Sequence, residues 1–181
     1  MGPLKNTVFA IGQSMADMMP PAVRGTWALR AFGLLKVPLI LYANPTVQEL
    51  SDNVCAVKIP LTWRTKNHYK SMYIGALVIG ADCTGGLLAM HHTRASDKDV
   101  RLLFKDMKAQ FLKRPEGDVL FTCSNGPELK AAVQETAATG ERINIPVDIV
   151  ATVPKSDSPN DPVATFTLTI SLKRAKSKRV Q

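Results

Sequence analysis

One stretch of this chain limits its folds more than any other. From Ser71 to Met90 almost every residue is apolar or small, and the helix they would form has no polar face. A helix that is apolar on all sides must be covered on all sides. Asp82 breaks the run beside Thr84, and Gly75, Gly80, Gly85 and Gly86 dilute it. A bilayer span therefore fits less well than the core helix of a soluble domain. The spacing predicts that helix over about 72–90.

The covering layer is legible as strands. Ile143, Ile145, Val147, Ile149, Ala151 and Val153 keep a strict period of two, and Phe166, Leu168, Ile170 and Leu172 alternate with Thr165, Thr167, Thr169 and Ser171. Within 53–63, Cys55, Val57, Ile59, Leu61 and Trp63 share a face, and Pro60 marks an edge or a bulge. A first strand is expected over 39–50, interrupted at Asn44-Pro45. Residues 100–113 read as a strand whose hairpin partner, 119–124, follows a turn at Pro115–Asp118. A short polar helix over 127–139 opens on Pro127, and His91-His92 are expected to close the long helix. These elements predict an α+β domain of about six antiparallel strands curved round one long central helix. The side the sheet leaves open needs a partner, most simply a second copy of the chain.

Two helices are expected ahead of this domain. Leu4, Val8, Ile11, Met15 and Met18 recur at helical spacing up to Pro20-Pro21, and Trp27, Arg30, Ala31, Leu34 and Leu35 do so up to Pro38. The expected division is a helical extension over 1–37, a domain over 38–174 and a basic tail over 175–181. The 181 residues suffice for one such core. The net charge of +8 is uneven: Lys173, Arg174, Lys176, Lys178 and Arg179 fall in the last nine residues, so the body is near +3. Aromatics are 6% and do not alternate with cations, which argues against a nucleic-acid partner. Cys55, Cys83 and Cys123 form no CxxC pair, and the first residues lack a signal-peptide pattern. A cytoplasmic location with no membrane partner is the expectation.

The segment Asn67-His68-Tyr69-Lys70-Ser71-Met72-Tyr73-Ile74-Gly75-Ala76-Leu77-Val78-Ile79-Gly80-Ala81-Asp82, set in this order of elements, resembles the hotdog-fold thioesterase superfamily. Acyl-CoA thioesterases of the phenylacetate type have an Asn six residues before a His that opens the central helix, then a Gly-Gly pair, and an acidic residue nine positions after the His. Asn67, Tyr73 and Asp82 keep those intervals. Tyr73 stands at the His position, Ile74 at the first Gly, and Gly75 keeps the second. The wording Met-Tyr-x-Gly-Ala-Leu is nearer to an uncharacterised thioesterase-like branch. The resemblance implies a hotdog fold and a thioester substrate, acyl-CoA or another acyl thioester, bound by a homodimer or a dimer of dimers.

The chemistry fits these residue types. A helix start offers free N–H groups and the positive end of the macrodipole, which can polarise a thioester carbonyl. Ile74 and Gly75 are the expected donors, and Asp82 is the expected general base or nucleophile. Tyr73 to Asp82 spans about 13.5 Å of helix, too far for one chain to use both ends on one carbonyl. Two antiparallel helices across a two-fold axis would bring Asp82 of one copy toward Gly75 of the other. Asn67 could hold the water or the carbonyl, with His68 and Tyr73 beside the substrate. Met107, Phe111, Phe104 and the N-terminal helices are expected to shape the acyl pocket. Each residue also has a plain alternative: Asp82 as a paired buried acid, Asn67 as a loop former, Tyr73 as a packed ring and His68 as a solvated one. No metal or cofactor is expected. A non-catalytic acyl-binding or sensor module on the same fold is the second reading. A hotdog dehydratase ranks below it, since no His lies within 72–90.

Overall fold

The computed structural model describes residues 19–175. The helix expected over 4–18 and the tail cations Lys176, Lys178 and Arg179 lie outside the described residues. The described elements run α1 (Pro21–Leu35), α2 (Pro38–Ala43), β1 (Thr46–Leu50), β2 (Cys55–Ile59), α3 (Ile74–Ala95), β3 (Val100–Phe111), β4 (Val119–Cys123), α4 (Gly126–Thr139), β5 (Ile143–Thr152) and β6 (Pro162–Arg174). The strands form one antiparallel sheet in the order β1-β2-β4-β5-β6-β3.

The sheet wraps α3, as the apolar helix required. Leu77, Ala81, Leu88 and Ala89 are buried against Val57, Phe121, Val147, Ile149 and Leu168. By length and composition α3 could cross a bilayer, yet most of it is buried inside this domain. Gly80 permits the close approach: a Cβ there would overlap the Phe121 ring, which is fully buried and packs beside Phe166. The inward set of β6, Phe166, Leu168, Ile170 and Leu172, is buried as its alternation predicts. α4 packs on α3 and leaves through Gly140 at φ 77°, a left-handed position suited to glycine.

Four expectations change. The segment 39–50 is not one strand: Pro38 opens α2, and Asn44 closes it in the left-handed region at φ 54°. Ile40 and Ala43 are buried while Leu39 and Tyr42 are exposed, a helical spacing that so short an apolar run could not declare. β2 ends at Ile59 because Pro60 lacks an N–H, and β2 lies between β1 and β4 rather than at an edge. Past Pro60 the chain turns through Thr62–Thr65 and sends Trp63 to the surface.

β3 and β4 do not form a hairpin. β3 pairs with β6 along nearly its whole length, and β4 pairs with β2 and β5. Twelve residues of β3 match thirteen of β6, whereas β4 has only five. Finally, α3 continues past the histidines to Ala95. His92 is buried with Nε2 3.0 Å from the Asp52 carbonyl, and His91 Nε2 lies 2.9 Å from the Asp52 carboxylate. The pair ties α3 to the β1–β2 turn.

Candidate active site

The start of α3 is held by a tightly bonded loop. Asn67 Oδ1 accepts from Tyr69 N at 2.9 Å, Ser71 N at 3.2 Å and the Ser71 hydroxyl at 3.3 Å. Lys70, left-handed at φ 64°, closes the turn by donating to the Asn67 carbonyl. Met72 N donates to Pro115 O, and Tyr73 N donates to Thr65 O at 2.8 Å. The Asn67 carbonyl oxygen therefore builds the loop, and only its amide NH2 remains for a ligand. His68 is exposed and stacks on Tyr69 at 3.9 Å between ring centroids, while the Arg114 guanidinium lies 5.5 Å from the Tyr69 ring.

At the helix start itself, Ala76 N and Leu77 N both donate to the Tyr73 carbonyl. The N–H groups of Ile74 and Gly75 have no acceptor among the described residues. No acidic side chain stands in the first turn, so the positive end of the dipole is uncompensated. The Tyr73 ring lies over Gly75, and a Cβ there would overlap it. Tyr73 and Ile74 are both about half exposed.

Asp82 lies two turns further on, about 10 Å along the axis from Gly75. Its carboxylate has no hydrogen-bond or ionic partner among the described residues, and burial raises its pKa above the ordinary carboxylate value. The plain alternative for Asp82, an acid satisfied by a buried cation, is not what the described residues show. Asp82 lines a cavity of about 120 Å³ whose walls come from Leu29, Phe32, Ile40, Leu87, Met90 and Phe104, with Arg94 among the residues around it. Phe104 and residues of α1 and α2 line it; Met107 and Phe111 do not. Within one chain the amides and the carboxylate stay apart, so the site residues divide into two groups.

Cys83 lies beside Asp82, but its thiol is buried and its pKa is pushed far up by desolvation. Cys55 and Cys123 face each other across β2 and β4; both thiols are free and buried, and burial raises the Cys55 pKa to about 12. None is an activated nucleophile. Among the described residues no three His, Cys, Asp or Glu side chains are grouped to hold a metal ion.

The model of a family described as a domain of unknown function, DUF4442, matches residues 25–172. The chain belongs to the DUF4442 family. Solved structures resemble this DUF4442 chain at low identity. A Pseudomonas aeruginosa protein of unknown function, named a probable thioesterase, has 19% identity and a TM-score of 0.67 over 83% of this chain and 96% of its own. A Chlorobaculum tepidum protein of unknown function has 12% identity and a TM-score of 0.72, covering 85% and 97%. A Haemophilus influenzae thioesterase has 12% identity and a TM-score of 0.58, covering 82% and 92%. No curated protein matches the sequence closely enough to count as a relative. At such identities the likeness is one of fold: this DUF4442 chain has the hotdog fold.

The DUF4442 site contains residues that sequence reasoning did not single out. Leu29, Phe32 and Ile40 roof the cavity from α1 and α2, and Arg94 reaches it from the last turn of α3. The helical spacing of the N-terminal apolar residues announced helices, but only the fold shows which face meets Asp82. Arg114 over Tyr69 likewise follows from the Pro115–Met72 bond, which joins segments more than forty residues apart.

Proposed function

We propose that this chain is an acyl-thioester hydrolase that acts as a homodimer, with each site built from two protomers. The observation that carries the reading is Asp82: a carboxylate with no partner among the described residues, on the wall of a largely apolar cavity. Such a group lowers stability, and proteins retain it where it serves chemistry.

In the proposed reaction the thioester carbonyl oxygen accepts hydrogen bonds from Ile74 N–H and Gly75 N–H of one protomer. Asp82 of the other protomer takes a proton from water as the water oxygen bonds to the carbonyl carbon. The tetrahedral oxyanion is held by the two amides. Collapse breaks the C–S bond, the thiolate leaves and takes up the proton, and a carboxylic acid and a free thiol remain. Attack by Asp82 itself, through an anhydride that water then opens, uses the same geometry. The Asn67 amide NH2 and the Tyr73 hydroxyl stand beside the helix start to orient the substrate.

Two features favour pairing. β3 is bonded to β6 on one side only, and its other edge of twelve residues has no strand partner among the described residues. Leu103, Phe104, Phe111 and Leu112 are exposed on or just past it, and Val78, Ile79 and Asp82 leave a face of α3 half covered. A second copy joined at this edge would cover both. Acyl-CoA is the substrate to test first, in a reduced, cytoplasmic setting that suits the free thiols.

The test is thiol release from a panel of acyl-CoA esters. Wild-type protein is expected to release CoA, and Asp82→Ala is expected to lose that activity while remaining folded. A folded, dimeric wild type that releases no thiol from any ester refutes the proposal. One observation favours the second reading, an acyl-binding module: the Tyr73 ring lies over Gly75 at the helix start and crowds the approach to it. An acyl-CoA that raises the melting temperature without being hydrolysed identifies that case.

A further inference from the structure

The outer surface of α1, α2 and the turn after β2 is apolar where a soluble surface is ordinarily polar. Trp27 and Leu34 lie two turns apart on the outer stripe of α1, and Trp27 is 68% exposed. The end of α1 then presents Leu35, 75% exposed, and the first turn of α2 presents Leu39. Tyr42 continues the Leu39 face one turn on and meets Trp63, 70% exposed, edge to face at 6.1 Å. Isolated exposed apolar residues need no explanation, but this many on two adjoining helices and the turn beside them mark a contact surface.

The charges that these segments themselves carry have one sign. Between Pro20 and Gln48, and again between Pro60 and Tyr73, the sequence contains no Asp or Glu. Lys36 sits at the turn between the helices. The Arg64 guanidinium lies 5.4 Å from the Trp63 ring and 5.5 Å from the Tyr42 ring. Lys66 follows in the same turn. Elsewhere Lys58, Lys98, Arg101, Lys113 and Lys130 each lie within ion-pair distance of a carboxylate; Lys36, Arg64 and Lys66 have no such partner among the described residues.

That charge pattern chooses the occupant. A second copy docked face to face would set Lys36, Arg64 and Lys66 against the same cations, because a two-fold contact pairs a surface with itself. An anionic lipid surface suits every part of the face. Leucines reach the acyl boundary, Trp and Tyr prefer the headgroup level, and Lys and Arg meet phosphates. We propose that this face lays the protein on anionic membranes, with Leu34, Leu35 and Leu39 inserted and Lys36, Arg64 and Lys66 on the lipid phosphates. The expectation of no membrane partner came from the lack of a spanning segment, and lying on a bilayer needs none. The same two helices roof the cavity beside Asp82.

The test is co-sedimentation of the full chain with vesicles of phosphatidylcholine containing one-third phosphatidylglycerol, beside vesicles of phosphatidylcholine alone. The protein is expected to pellet with the anionic vesicles, less so at high salt. Fluorescence from Trp27 and Trp63, the only tryptophans, should shift to the blue on binding. The variants Leu35→Ser/Leu39→Ser and Lys36→Glu/Arg64→Glu are each expected to weaken partitioning by about tenfold or more. All four positions are exposed or at a turn, so melting temperatures should hold. A full chain that stays in solution with anionic vesicles overturns the proposal. So does equal binding to neutral vesicles, or insensitivity to Lys36→Glu/Arg64→Glu. Dissociation of a dimer by Leu35→Ser/Leu39→Ser, with vesicle binding unchanged, assigns the face to a second copy and also overturns it.

Discussion

Gly80 and Gly86 lie on the same helix, and alanine should act on them with opposite sign. In an ordinary helix interior, Gly→Ala stabilises by about 1 kcal/mol. At Gly80 the new methyl would overlap the Phe121 ring, which is fully buried and packed beside Phe166. The ring cannot turn away without displacing the sheet. Overpacking of that kind costs about 1–3 kcal/mol, often the upper part where nothing nearby yields. Subtracting the helical gain leaves a net loss of about 1–2 kcal/mol, or roughly 2–8 °C of melting temperature for a domain of this size. At Gly86 the methyl would come 3.2 Å from Phe104 Cζ. Phe104 is 40% exposed on the edge strand and can give by the few tenths of an ångström required. Gly86→Ala is therefore expected to leave the melting temperature unchanged or raise it by about 2 °C. The assay is thermal and urea denaturation of the two variants against wild type. If both substitutions stabilise, or both destabilise alike, the packing argument for how the sheet grips α3 is wrong.

Three further outcomes follow from the electrostatics and the free edge. Asp82 has a folded pKa raised above the ordinary carboxylate value of 3.8, so wild-type stability falls as pH rises through the window above 3.8 and stays lowered beyond it. Asp82→Asn should thus be more stable than wild type at pH 8 and lose that advantage below pH 3.8, while thiol release drops by about a hundredfold or more; a variant less stable at pH 8 would mean the carboxylate has a stabilising partner. Asp52 is the opposite case: hydrogen bonds from His91 and Lys130 lower its pKa from 3.8 to about 2, so its contribution is present above 3.8 and lost as pH falls through about 2. Asp52→Asn should lower the melting temperature slightly at pH 7, with the difference shrinking below pH 3.8 and gone only below pH 2. On the edge strand, Leu103→Glu with Leu112→Glu should convert the proposed dimer to monomer in sedimentation; a monomeric wild type counts against the composite site.

The elements legible in advance were those whose pattern is both long and strict. α3 declared itself because twenty residues with no polar face allow one reading, and β5 and β6 because alternation held over eight or more positions. α2 was hidden because six residues, nearly all apolar, fit a strand as well as a helix. The partner of β3 was hidden for another reason: register is fixed by contacts across the sheet, and the nearest strand in sequence is only the usual neighbour. Trp63 was assigned inward by continuing an alternation past Pro60, where the missing N–H ends the ladder. The spacing of Asn67, Gly75 and Asp82 was readable along one segment. The roof over Asp82 was not, since Leu29, Phe32 and Ile40 come from elements more than forty residues away.

The proposed second copy and the candidate chemistry have one cause. A single rigid helix carries both the unbonded amides at Ile74 and Gly75 and the unpartnered carboxylate of Asp82, and its rise keeps them about 10 Å apart. No side-chain rotation closes that gap, so in one chain the buried Asp82 carboxylate is a local loss of stability with no chemical return. A two-fold axis beside α3 cancels the separation, because the antiparallel copy presents its halves in reverse order. The half-covered face of α3 and the unpaired edge of β3 need covering for unrelated reasons of burial and hydrogen bonding. One contact between copies would satisfy all of these at once, which is why we locate the reaction there rather than in the cavity of a lone chain.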